Sequence, residues 1–512
     1  MRFSIFQTLR VTGWASLACL LLFLPACQRS SGPQPTQQAP LKPASSLVVT
    51  TIARGEPPDA LPAPLKGTAP EVTISDLHAS NGVTRWNYHP QWVPMFHNLG
   101  APVIVDGVLY APADVYNEAY SFDSDHSPSG VLSALRVSDK TLLWRVETGA
   151  LASAPLVENG VVYSSAIVFT TDSQHKSLTE KFVYAFGTRT GKLLWRTRII
   201  GSFGSNDTLA LVQSNLYIGS NEVCFDACNA TYLFSLHAVD GKLRWQRALT
   251  GGISIHIQSF TIANDIVYLY LYGDTSNQLV LLAFRASDGQ QLWRYLTGLS
   301  LFEGNIQRLS PVVSNGLVYL GSALQSDPYQ PERWSYSVVA LKGQSGTVQW
   351  RTPTDLYPAV IAASAGTIYL ETARTSKTTP PYTTFLSALR ADDGHLLWHQ
   401  HIENPLRSFI PAGTILYGTT GTILSGTTRK DASNGDTTNI VFALDAQSGT
   451  LLWRTTMQSP LSRAGSLVTA LASNVIYVAL QDDILFAVQT RDGKILWDSR
   501  TAGTIMDVTI VT

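Results

Sequence analysis

The chain is 512 residues long, 45% hydrophobic and 14% charged, with a formal net charge of −1. That length and apolar content suffice for a large buried core, and the near-neutral balance excludes the basic face of a nucleic-acid-binding protein. So few charges leave Ser, Thr, Asn and Gln to solvate the surface, a composition common in exported β-proteins.

Arg2 and Arg10 precede an apolar run over 11–24 that is too short for a typical membrane-spanning helix of ~20 residues. The run ends in Leu24-Pro25-Ala26-Cys27. This resembles the lipobox of bacterial lipoproteins, with Pro25 an unusual occupant. The resemblance implies that 1–27 is a lipoprotein signal peptide, that Cys27 carries the lipid, and that the mature chain is extracytoplasmic, in the periplasm or at the cell surface. An ordinary signal peptide or an uncleaved anchor is the alternative. Residues 28–70 hold nine of the 26 prolines and little apolar periodicity, so they are expected to be a disordered tether. Residues 71–512 are expected to form the folded body.

From Trp144 onward the chain repeats, with Trp144, Trp195, Trp245, Trp293, Trp350, Trp398, Trp453 and Trp497 recurring at steps of 44 to 57 residues. Four residues before the Trp lies Gly191, Gly241, Gly289, Gly346, Gly394, Gly449 or Gly493, with Lys140 in the first copy. Ten before it lies Ala in seven copies and Ser235 in the third. An upstream Tyr recurs in each copy, from Tyr110 to Tyr477. Within a copy, alternating β-branched and aromatic runs are separated by Asn-Gly and Ser-Gly turns, which is hairpin chemistry. Each copy therefore codes about four antiparallel strands, and such sheets hide both faces by stacking radially, with the small Ala letting neighbours approach and the Trp filling the gap between them.

The columns resemble the tryptophan-docking motif Ala-x-Asp-x-x-Thr-Gly-x-x-x-Trp of the pyrroloquinoline quinone (PQQ) propeller superfamily, best matched by Ala443 to Trp453. That superfamily includes quinoprotein dehydrogenases and the BamB-like lipoproteins. The resemblance implies an all-β, eight-bladed propeller of four-stranded blades. Asn81-Gly82 followed by Trp86 looks like a degenerate ninth motif, and 504–512 reads as one extra strand. Together these segments could staple the first and last blades or build a partial ninth sheet.

Cys224 and Cys228 are the only cysteines beyond the signal, and a Cys-x3-Cys pair in an oxidising compartment most simply closes a small loop disulfide. A quinoprotein dehydrogenase would need adjacent cysteines, Ca²⁺ ligands and a catalytic carboxylate, and none of the family's residues maps onto this chain. The expectation is thus a non-catalytic, monomeric scaffold with no cofactor, no metal and no catalytic residue assigned. It would bind protein partners of the cell envelope through long aromatic loops, namely Tyr116, Tyr120 and Phe122 in one and Tyr329, Arg333 and Trp334 in another. The alternatives are a PQQ-dependent alcohol or sugar dehydrogenase and a surface module that binds cell-wall glycan.

Overall fold

The computed structural model describes residues 46–52, 72–88, 102–115, 129–151, 153–171, 177–200, 207–220, 231–249, 256–272, 278–300, 311–325, 334–373, 384–402, 405–421, 438–458, 468–472, 474–480, 484–501 and 504–511. These residues fold as nine blades of four antiparallel strands, one more than the repeat count implies. Blade 1 is composite: its innermost strand is Thr504–Val511, followed outward by Ser46–Ile52, Val72–His78 and Thr84–Tyr88. Blades 2 to 9 occupy 103–151, 156–199, 207–249, 256–300, 312–354, 357–402, 406–458 and 468–500 in chain order. Ala150 and Leu151 of blade 2 also pair with Ile167 and Ala166, joining blades 2 and 3 into one continuous sheet.

Blade 1, the additional one, carries a weaker version of the repeat. Gly82 and Trp86 keep their columns, but Asp76 stands opposite Trp86 where the other blades have Ala or Ser. Its second strand comes from Ser46–Ile52, inside the segment expected to be a tether, so the propeller begins at Ser46. The β-branched run Val48 to Ile52 has strand propensity of its own, but it lies among prolines and lacks the Tyr that marks the other second strands.

One interaction locks every seam. The indole N–H of each outermost-strand Trp donates to a carbonyl of the following blade, at 2.6 to 3.2 Å, from Trp86 to Val137 around to Trp497, which donates to Ala79 of blade 1. The column Tyr of eight blades packs on the same Trp, with ring centroids 5.9 to 6.2 Å apart, within the range favoured by aromatic pairs. The column Gly lies directly beneath the Trp of the preceding blade: a Cβ on Gly289, whose φ is +68°, would come within 2.6 Å of the Trp245 ring. Gly is thus required twice over, for its backbone conformation and for the space it leaves. The apolar clusters that form the core span neighbouring blades, as where Val183 and Ala185 of blade 3 meet Leu216, Ile218 and Phe234 of blade 4.

The two faces of the ring differ. On one, the first and second strands are joined by two-residue turns such as 106–107, 159–160 and 315–316, and the third and fourth by uniform five-residue turns such as 188–192 and 238–242. Positive φ at both Asn159 and Gly160, and at both Asn315 and Gly316, marks the primed turns that suit strand twist. On the other face lie the strand ends that flank all the longer connections, such as Val115 and Ser129, Ser220 and Thr231, Gln325 and Trp334, and Gly421 and Thr438.

Candidate functional site

On the short-turn side of each seam sits a Trp dock, whereas several seams are tied by polar groups at the other end. The most buried of these joins blades 3 and 4. Strand period places Lys181 on the same side as Val183 and Ala185, facing blade 4. Asp207 opens the innermost strand of blade 4 and pairs in register with Ser220, which ends the second strand. The Lys181 ammonium donates to Asp207 Oδ1 at 2.6 Å and to Ser220 Oγ at 2.9 Å. Both charged side chains are fully buried, and Asp207 Oδ2 has no hydrogen-bond partner.

A partly open cleft of about 340 Å³ adjoins this cluster, with Lys181 and Phe234 among its lining and the Glu180–Arg198 ion pair, at 3.2 Å, on its rim. The ammonium is engaged by two acceptors, so it is neither a free base nor a nucleophile. The arrangement fixes positions: Asp207 is the root of the connection that follows Ile200, and Ser220 is the root of the connection holding Cys224 and Cys228.

Other seams repeat this logic with different chemistry. Between blades 5 and 6, Arg351 donates to Ser337 Oγ at 2.7 Å and to the Tyr295 hydroxyl at 3.0 Å, and Ser322 Oγ donates to the Thr297 carbonyl at 2.9 Å. Between blades 7 and 8 the Leu406 amide donates to Glu371 Oε1 at 2.9 Å. Thr469 of blade 9 donates to Ser408 of blade 8 at 2.7 Å. Among the described residues no group of three or more His, Cys, Asp or Glu side chains converges as metal ligands would.

The residues expected to act from the sequence fall into three groups. Among the repeat tryptophans, Trp144, Trp195, Trp245, Trp293 and Trp398 are buried, while Trp350, Trp453 and Trp497 are half-buried; all eight are spent on docking. Cys27, Cys224, Cys228, Tyr116, Tyr120, Phe122, Tyr329 and Arg333 lie outside the described residues. The backbone of Trp334 starts a strand, opposite Gln325. Lys181 and Asp207 escaped the sequence reading, although a lysine in phase with Val183 and Ala185, on the face of a strand that must be buried, was a usable signal.

A family model described as outer membrane protein assembly factor BamB matches residues 179–364 and 384–510. The tetrathionate hydrolase of Acidithiobacillus ferrooxidans is 21% identical over 452 residues, covering 86% of this chain and 77% of that protein. Two solved structures are similar at low identity. A quinohemoprotein alcohol dehydrogenase from Comamonas testosteroni is 14% identical, covering 70% of this chain and 68% of that one, with a TM-score of 0.42. BamB from Moraxella catarrhalis is 16% identical, covering 73% and 94%, with a TM-score of 0.37.

Proposed function

Because the chain belongs to the PQQ-repeat propeller family described as outer membrane protein assembly factor BamB, we propose that it is a binding platform of the cell envelope. In this reading a lipid on Cys27 holds the propeller to a bacterial membrane, and a protein partner docks on the face bearing the long connections. One observation carries it: the blades are locked by the same dock around a closed ring, while variation in length is confined to connections rooted on one face. A rigid frame that presents variable loops at set angles is the architecture of a recognition surface. Both aromatic segments singled out from the sequence, at Tyr116 to Phe122 and at Tyr329 to Trp334, are flanked by strand ends on that face.

The test is crosslinking in intact membranes. The double substitution Tyr329→Ala and Trp334→Ala should reduce a specific crosslinked partner at least tenfold while the melting temperature stays unchanged. Cys27→Ser should release the protein from membranes, and continued retention would remove the anchor from the scheme.

A second reading, hydrolysis of a sulfur oxoanion, is favoured by a different observation, the alignment with tetrathionate hydrolase over most of both chains. Incubating the purified protein with tetrathionate and following product formation decides between them. Sustained turnover that is lost on heat denaturation would replace the platform with an enzyme.

A further inference from the structure

We propose that the outer rim of the short-turn face rests on the lipid surface that carries the anchor, so that the face bearing the long connections points away from the membrane. This rests on the lipid-anchor reading above and adds an orientation to it.

The first observation is where the chain enters the ring. Ser46 pairs with His78 on one side and with Val511 on the other. His78 leads into the 79–83 turn, so Ser46 opens onto the short-turn face. Cys27 lies 19 residues upstream of Ser46. Such a stretch reaches at most roughly 65 Å when fully extended and about 24 Å on average as a flexible coil. The face nearest the lipid is therefore the one onto which Ser46 opens.

The second observation is independent of the first. Among the described residues, fifteen large hydrophobic side chains are exposed, and twelve of them lie on the short-turn side. Most follow from the repeat itself, because the residues between the column Gly and the Trp begin the outermost strand, as Leu193, Leu243, Leu396 and Leu451 do. These four are 45 to 50% exposed, and Val239, in one of the five-residue turns, is 73% exposed. Carboxylates of the same turns are largely engaged: Asp139 by Arg136 at 3.0 Å, Asp240 by Lys242 at 2.9 Å and Asp288 by Arg285 at 2.8 Å. The rim is thus aliphatic, with these carboxylates ion-paired and with exposed cations at Lys140, Arg189, Lys192 and Lys494, a combination that suits the headgroup boundary of a bilayer.

Scattered aliphatic side chains of this kind would not recruit a free protein from solution. A short tether raises the effective concentration of the lipid surface to the millimolar range, where a weak contact becomes populated. The rim therefore orients a propeller that the anchor already holds.

The experiment uses the full lipidated chain in phosphatidylcholine vesicles containing headgroup-spin-labelled lipid. In a Cys224→Ser, Cys228→Ser background, a fluorophore is attached either at Lys192→Cys, in a short turn, or at Ile200→Cys, just beyond the other end of the same outermost strand. The two sites are separated by roughly 26 Å of strand. Quenching is expected to be at least threefold stronger at 192 than at 200, and the asymmetry should vanish when Leu243, Leu396 and Leu451 are changed together to Gln. Vesicle-bound protein with equal or reversed quenching overturns the orientation alone. If in that case 192 crosslinks to 192, a second copy occupies the rim instead. Failure of the protein to float with the vesicles overturns the anchor and this proposal together. The 192 to 200 comparison in the unsubstituted rim stands as a test even if the triple variant does not fold.

Discussion

At position 140 a lysine occupies the place that glycine holds in the other copies, with φ of +51°. Left-handed backbone costs an L-residue roughly 1 kcal/mol relative to glycine, so Lys140→Gly should raise stability by about 1 kcal/mol, read as a rise in denaturation midpoint. The reverse change is harsher. Gly289→Ala adds a Cβ 2.6 Å from the Trp245 ring at φ of +68°, combining backbone strain with overpacking, and should cost about 2 to 4 kcal/mol. Asp76 is a second exception to its column. It is fully buried, with Arg85 at 3.6 Å, and burial raises its carboxyl above the usual carboxylate range, against the opposing pull of Ser46, Arg85 and His78. A carboxyl raised in the folded state favours folding most when protonated, below its unfolded value near 3.8, and that contribution is lost as pH rises through its elevated folded value. Asp76→Ala, which restores the column residue, should therefore raise the melting temperature at pH 7 and lose that advantage as the pH approaches 4.

At the level of strands and seams, the Lys181–Asp207 pair shows how two elements from different blades depend on each other. Taking both ions out of water is costly, and the hydrogen bonds to Asp207 and Ser220 offset that cost. Asp207→Ala should destabilise by about 3 to 5 kcal/mol because it strands an ammonium in the seam. The double change Lys181→Met, Asp207→Leu should recover most of that loss, as measured by denaturant unfolding. If the double variant were as unstable as the single, the pair would be a net source of stability and not a device for placing the 201–206 and 221–230 connections. The strand pattern made the blades legible in the sequence, since alternation, two-residue turns and the Gly and Trp columns are all short-range signals. The burial of Lys181 is legible from its phase with Val183 and Ala185, but its partner, in the next blade 26 residues away, is not.

Ring closure belongs to the whole molecule. Ser46 meets Val511 across nearly the full length of the chain, and the Trp497 indole reaches back to Ala79. Removing 504–512 deletes the innermost strand of blade 1 and exposes the edge of Ser46–Ile52 and the side of blade 9. The truncated protein should lose its cooperative melt or fall by ~10 °C or more in a circular-dichroism scan, whereas an open array with independent blades would melt almost unchanged.

The amino-acid sequence by itself determined the repeating unit. Its columns are read within one copy of some 50 residues, where strand period, turn conformation and the size of Ala, Gly and Trp leave little freedom. Tertiary structure alone decided that the ring has nine blades and that its seam is closed by Thr504–Val511 against Ser46–Ile52. It also decided that Ser46 and Val511 both open on the short-turn face. Those outcomes depend on pairings between segments more than 400 residues apart, and long-range pairing is set by which edges remain unsatisfied once the other blades have packed, a property no local pattern encodes.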